Sequence, residues 1–220
     1  MNNIKPNFSK AYSKANEILV KSNVISAFLF STTNLVKELS KKKCKTYKKA
    51  LDYGIDISIF GSESATIFEF KNRYIIFYDD SKPKTHINYS ILHELGHFLL
   101  GHIFNISDKE LYSKYEIESN FFVAQLLMPE QVLRELMKRG IKITKEFLME
   151  HFSVSEIAAK KRIDTLSRTN LEWRSGQEKE FDDIILFKFK NFIDNICPIN
   201  SNSFDFEYEY YRQNERNNWL

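Results

Sequence analysis

The feature that most constrains this chain is a pair of histidines four residues apart with a glutamate between them, His93-Glu94-Leu95-Gly96-His97. On an α-helix, residues four apart lie on one face. The two imidazoles can therefore address one point in space, provided that this stretch is helical. Glu94 lies about 60° around the helix from His97. Two imidazole nitrogens on one face suit a tetrahedral divalent metal. Zinc is the natural ion, with a carboxylate as third ligand and the fourth position left to water. Glu94 can then reach that water without taking a ligand position, as a general base needs to. Gly96 has no side chain and lets another element approach the helix closely, while Leu95, Phe98 and Leu99 anchor the opposite face.

The third ligand is expected from the next helix. Glu116-Ile117-Glu118-Ser119-Asn120 offers two carboxylates. Glu116 shares a face with Asn120, so Glu116 is favoured for the metal and Asn120 for steadying a ligand from behind. Glu118 points about 200° away from Glu116 and reads as a solvated charge.

Around this centre the pattern predicts helices over 8–21 and 32–52, the second stopped by Asp52-Tyr53-Gly54. Ile55 to Phe60 alternates as a half-buried strand does. Thr66 to Phe70 and Arg73 to Tyr78 read as a hairpin turning at Lys71-Asn72. The histidine helix runs from Thr85 to about Phe104. The next is capped by Ser107-Asp108 and runs to about Met128, before Pro129. Glu130 to Arg139 is a short helix stopped by Gly140. Thr144 to His151 and Ser155 to Ser167 form a helix pair. Ser175-Gly176-Gln177 reads as a hinge, after which acidic and aromatic residues alternate (Phe204, Phe206, Tyr208, Tyr210, Tyr211), and 213–218 is a polar, frayed end.

Composition excludes several classes. Of 220 residues, 43% are hydrophobic and only six are glycine, which argues against a disordered chain. Cys44 and Cys197 follow no metal or disulfide spacing, as a reducing compartment tolerates. No membrane span or signal peptide is evident, so the cytoplasm is the expected location. A net charge of +3 is too mild to imply nucleic-acid binding. The cluster Lys41, Lys42, Lys43, Lys45, Lys48 and Lys49 reads as a solvated helix face.

His93-Glu94-Leu95-Gly96-His97, the hairpin ahead of it and the run Glu116 to Pro129 (E-I-E-S-N-F-F-V-A-Q-L-L-M-P) together resemble the ImmA/IrrE family of metallo-endopeptidases. Phe152-Ser153-Val154-Ser155 and Arg162-Ile163-Asp164-Thr165-Leu166 resemble the family's downstream region. The resemblance spans about 37–167. It implies an α+β, mainly helical zincin-like domain with a small antiparallel sheet. His93, His97 and Glu116 would hold the zinc, with Glu94 as base. It also implies a protein substrate, a helix-turn-helix repressor of a mobile element or stress locus. Ser119 departs from the family's usual alanine, and Asn88-Tyr89 from its usual Arg-Phe pair. The expected organisation is a metallopeptidase domain at 1–129, a helix-turn-helix-like module at 130–172 and an extension of unknown role at 173–220.

Other residues have plainer readings. His102 follows His97 by five, which turns it off the metal face of a continuing helix. His86, His151 and Tyr89 are expected in structural roles, although each could donate to an oxyanion. Tyr112 and Tyr115 are weaker candidates. The strand 73–78 is expected to form the lower edge of the cleft and to pair with an extended substrate. The second helix of the pair 144–167 carries Lys160, Lys161 and Arg162, an ambiguous sign of DNA binding. The competing reading is a non-proteolytic regulator that keeps the metal and acts by binding DNA or a protein.

Overall fold

The computed structural model describes residues 5–62, 64–71, 73–102, 107–167 and 176–198. The hinge residue Ser175, the alternating tract after residue 199, the polar end and the expected close of the histidine helix at Phe104 lie outside them. The fold is α+β, mostly helical around a three-stranded mixed sheet. Among the described residues, no helix is long and apolar enough to cross a membrane.

The chain opens with α1 (Phe8–Lys21), capped by the Asn7 side chain, which accepts from the Lys10 amide. Its inner face is Ala11, Ala15, Ile18 and Leu19. Its last turn is closed from outside, because the Lys188 ammonium donates to the carbonyls of Leu19 and Ser22 at 2.7 Å each. This cation satisfies carbonyls that a helix end leaves orphaned.

The helix expected over 32–52 is three elements. α2 (Thr32–Ser40) ends where Lys41 turns left-handed (φ 54°), β1 (Lys43–Thr46) follows, and α3 (Tyr47–Asp52) completes the segment. A four-residue strand of Lys-Cys-Lys-Thr has no apolar alternation to betray it. It forms because β3 offers it a ladder. The lysine cluster is accordingly no single helix face: Lys43 and Lys45 lie on β1, and Lys42 sits 3.8 Å from the Phe98 ring centroid.

Ile55 to Phe60 is not a strand either. Asp56 accepts from the Ser58 amide and starts a 3-10 turn over Ile57–Phe60. Within that turn only Phe60 is driven inward, while Ile59 is 60% exposed. The hairpin stands as expected: β2 (Ala65–Phe70) runs antiparallel to β3 (Arg73–Tyr78), with Lys71 left-handed at the turn (φ 49°).

β1 pairs in parallel with β3, Lys43 opposite Ile75 and Thr46 opposite Tyr78, giving the order β1-β3-β2. β3 is therefore the central strand, with both edges taken. It sends Ile76 into the main core and Phe77 into a smaller cluster with Ala50, Ile55 and Phe60. Burial on both faces explains its unbroken apolar run. The expectation that residues 73–78 edge the cleft fails for this reason. The free edge beside the histidine helix belongs to β2.

α4 (Lys84–Leu99) and α5 (Lys109–Leu127) form the heart of the molecule, and α1 lies along α5. Asp108 caps α5 by accepting from the amides of Glu110 and Leu111. α6 (Glu130–Lys138), α7 (Lys145–Phe152) and α8 (Glu156–Leu166) follow. Gly176, read as a hinge, begins α9 (Gly176–Lys188), which packs on α1 and α6 and is followed by α10 (Lys190–Ile196). Ile185, Phe189 and Ile193 enter the same core as α1 and α4, and Phe28 stacks on Phe189 at 4.4 Å.

Arg162 on α8 is 1% exposed, and its guanidinium donates to the Met128 carbonyl and the Gln125 side chain. It ties α8 to the end of α5 and has no way to reach nucleic acid. That removes one of the three basic groups that made DNA binding by this helix arguable.

A Cβ built on Gly96 would lie 2.7 Å from Ser119 Oγ and 2.9 Å from Phe122 Cδ1 on α5. The hydroxyl can rotate away, but the fully buried Phe122 ring cannot. Gly96→Ala should therefore cost about 1–3 kcal/mol of stability, in the range of core overpacking. Denaturant unfolding measures this directly, and a variant as stable as the parent would contradict so close a contact.

Candidate metal centre

α4 places His93 and His97 one turn apart, and α5 crosses it closely enough for Glu116 to meet them. His93 Nε2 and His97 Nε2 are 3.0 Å apart. Glu116 spans both, with Oε2 at 3.2 Å from His93 and Oε1 at 3.2 Å from His97. Two nitrogens and a carboxylate thus converge on one small volume, a group that could hold a metal ion. Ligands about 2.0–2.1 Å from a tetrahedral ion stand roughly 3.3 Å from one another. The observed separations fall just below that, so the donors fit such an ion with little movement.

The crossing depends on small residues. Gly96 leaves room for α5, and the Ser119 hydroxyl donates to the His93 carbonyl at 2.6 Å. Ser119 thus adds a bond between the two helices at His93 itself.

Two carboxylates here are tuned in opposite directions. Burial works against ionisation of Glu116, yet the hydrogen bonds and positive potential of His93 and His97 outweigh it and hold its pKa well below the usual carboxylate range. Burial dominates for Glu94 and raises its pKa, although the two histidines and the Ile67 amide oppose it. Glu94 Oε2 accepts from the Ile67 N–H of β2 at 2.9 Å, which anchors the side chain to the sheet edge.

Glu118 departs most from expectation. It is 3% exposed rather than solvated. Its Oε2 lies 2.9 Å from His102 Nε2, and its Oε1 accepts from the Asn7 amide at 2.6 Å, with Lys114 Nζ at 3.8 Å. The face of α5 opposite Glu116 is covered by the start of α1 and the turn after α4, and neither was visible in the local pattern.

His102 is also not where a continuing helix would put it. α4 ends at Leu99, and Gly101 is left-handed (φ 68°). The His102 amide donates to the His97 carbonyl and the Gly101 amide to that of Phe98, the paired bonds of a Schellman cap. The chain folds back, and His102 Nδ1 comes to 3.0 Å from His97 Nδ1. Burial lowers the His102 pKa to about 4, against the pull of Glu118. Gly101 was the available signal, since a glycine just past a helical run marks a helix end.

Other candidates fall outside the centre or behind it. His86 Nε2 is 2.7 Å from Ser64 Oγ, and His151 packs on the Phe147 ring. The Tyr89 hydroxyl donates to Asn120 Oδ1 at 2.9 Å, so Asn120 holds Tyr89 rather than a ligand. Burial raises the Tyr89 pKa to about 12. Burial, with the charge of Glu116, raises the Tyr112 pKa, and Tyr115 stacks on His102 with centroids 4.0 Å apart.

No curated protein matches the chain. A family model described as the IrrE N-terminal-like domain, a family of peptidases, matches residues 50–164. That stretch covers β2, β3, both helices of the centre and nearly all of α8. Since the match takes in just over half of the chain, the protein belongs to this family of metallopeptidases.

Proposed function

We propose that the protein is a zinc-dependent endopeptidase of the cytoplasm that cleaves a regulatory protein, a helix-turn-helix transcriptional repressor. His93, His97 and Glu116 hold the metal and Glu94 is the general base. The observation that carries this reading is the convergence of two imidazoles and one carboxylate at 3.0–3.2 Å beside a buried glutamate. Borderline-soft nitrogen donors with one carboxylate favour zinc over magnesium or calcium.

When bound, zinc supplies Lewis acidity, lowering the pKa of a coordinated water towards about 7 and polarising the scissile carbonyl. Glu94 takes the proton from the attacking water and gives it to the leaving amine. Its raised pKa suits it to hold the proton between the two events. The bond from Ile67 N–H occupies one carboxylate oxygen and leaves the other for this transfer.

Substrate is held along the free edge of β2. The Ile67 amide points away from β3, and outward-facing groups alternate along a strand, so the Glu69 amide faces the same way. An extended segment adding there gains main-chain bonds with little sequence preference. The scissile bond then lies in an extended linker of the repressor, not within one of its helices.

Three outcomes test the reading. Labelling of new protein N-termini in cells should reveal cleavage of a repressor with the wild type and none with Glu94→Gln, which keeps the ligands. Cleavage that persists in Glu94→Gln sinks the mechanism, and a target outside transcriptional control sinks the substrate class. Elemental analysis should find zinc in stoichiometric amount in wild type and only traces in Glu116→Ala; equal zinc in both would reassign the third ligand. Glu69→Pro removes an outward N–H without touching the β2–β3 ladder. Loss of one such bond, worth about 1 kcal/mol, should lower kcat/KM several-fold with zinc retained. Unchanged cleavage would exclude pairing at this edge.

A further inference from the structure

The lysine cluster takes no part in the metal centre, and its surroundings differ from those of lysines elsewhere in the chain. β1 begins opposite Ile75, so Arg73 and Tyr74 at the start of β3 run past it. The notch this leaves beside the hairpin turn forms a cavity of about 640 Å³, within the size range of small-ligand pockets. Lys41, Lys42, Lys43, Lys45, Lys71 and Arg73 line it, and among the described residues no acidic side chain does. On the helices, by contrast, lysines are answered by carboxylates. Lys14 and Lys21 share Glu17, Lys49 meets Asp52, and Lys145 and Lys160 share Glu156. None of the six cations of the notch has such a partner among the described residues. Like charges around one cavity repel one another, and an anion entering it relieves that repulsion.

Three aromatic rings complete the wall. Tyr53 and Phe70 lie parallel within 9° with centroids 5.7 Å apart, and Tyr53 and Tyr74 are 38% and 39% exposed. Lys42 Nζ stands 4.8 Å from the Tyr74 ring centroid, and Lys71 Nζ 5.2 Å from that of Phe70. Ring faces and ammonium groups are thus interleaved. Partly exposed rings accept a planar base by stacking, while lysines and an arginine take phosphate oxygens. An acidic peptide would use the cations and leave the rings without a flat partner. A nucleic-acid strand would need a basic track leading out of the cavity, and the whole chain carries a net charge of only +3.

We propose that this notch is a nucleotide site, taking a free nucleoside polyphosphate with its phosphates among the lysines and Arg73 and its base against the exposed tyrosine faces. It shares no residue with the metal centre, and neither reading depends on the other.

Titration calorimetry of the full chain in magnesium-free buffer tests this with ATP and GTP as probes. Adenosine, guanosine, inorganic tripolyphosphate, a single-stranded oligonucleotide and a glutamate-rich peptide serve as comparisons. One triphosphate should bind per chain, about 5–100-fold more tightly than tripolyphosphate, the range expected of one stacked base. Replacing Lys43 and Arg73 together, Lys43→Gln with Arg73→Gln, removes two exposed cations and should weaken binding at least about 10-fold. Tyr74→Leu keeps an apolar side chain on β3 without the ring. It should weaken the triphosphate by about 5–100-fold and leave tripolyphosphate unaffected. If that variant does not fold, Tyr53→Leu makes the same comparison. Equal affinity for triphosphate and tripolyphosphate, tighter binding of the oligonucleotide or the peptide, or indifference to these substitutions overturns the nucleotide site. Glu116→Ala, which lacks a donor of the metal centre, should bind the triphosphate as the wild type does. Binding lost in that variant would place the triphosphate on the metal and overturn the notch instead.

Discussion

The close crossing of α4 and α5 at Gly96 is the constraint on which the rest of the structure depends. Two histidines on one helix define a direction but no site, and the third donor has to arrive on a second helix at nearly backbone contact. The absent side chain at 96, the Ser119 hydroxyl bonded to the His93 carbonyl and the immobile Phe122 ring set that separation together. A slightly wider crossing would leave Glu116 unable to span both Nε2 atoms.

Three carboxylates lie within a few turns of one another, and their surroundings assign them different work. Glu116 meets two imidazoles and stays charged. Glu94 is taken out of water beside the edge of β2, and its proton becomes easier to hold. Glu118 is deeper still, and is tolerated there because the Asn7 amide, His102 and Lys114 surround it. Burial, neighbouring charge and hydrogen bonding thus act in different proportions on one residue type.

The framework beyond the match to the family supports this arrangement. The start of α1 delivers the Asn7 amide to Glu118, and the end of α1 is closed by Lys188 from α9. Within the matched stretch, Arg162 and Gln125 lock α8 to the turn after α5, where a buried charge without its acceptors would be costly. Elements at both ends of the described chain therefore bear on the depth and stiffness of the centre, although they contribute no metal donor.

Local periodicity determined what depends on near neighbours. The span of α1, the β2–β3 hairpin, the caps of α5 and the common face of His93 and His97 were all legible, because helix and strand repeats carry their own register. Glu116 could be favoured over Glu118 by the same reasoning. Tertiary structure alone decided the remainder. β1 exists because β3 offers it an edge, and its taking that edge leaves β2 free beside the site. The exception is local: Asp56 turns Ile57–Phe60 into a 3-10 helix despite the strand-like alternation. His102 and Glu118 reach the centre only because Gly101 reverses the chain and α1 covers the far face of α5. Such partners come from distant positions, and no repeat within a helix or strand encodes which distant surface will cover it.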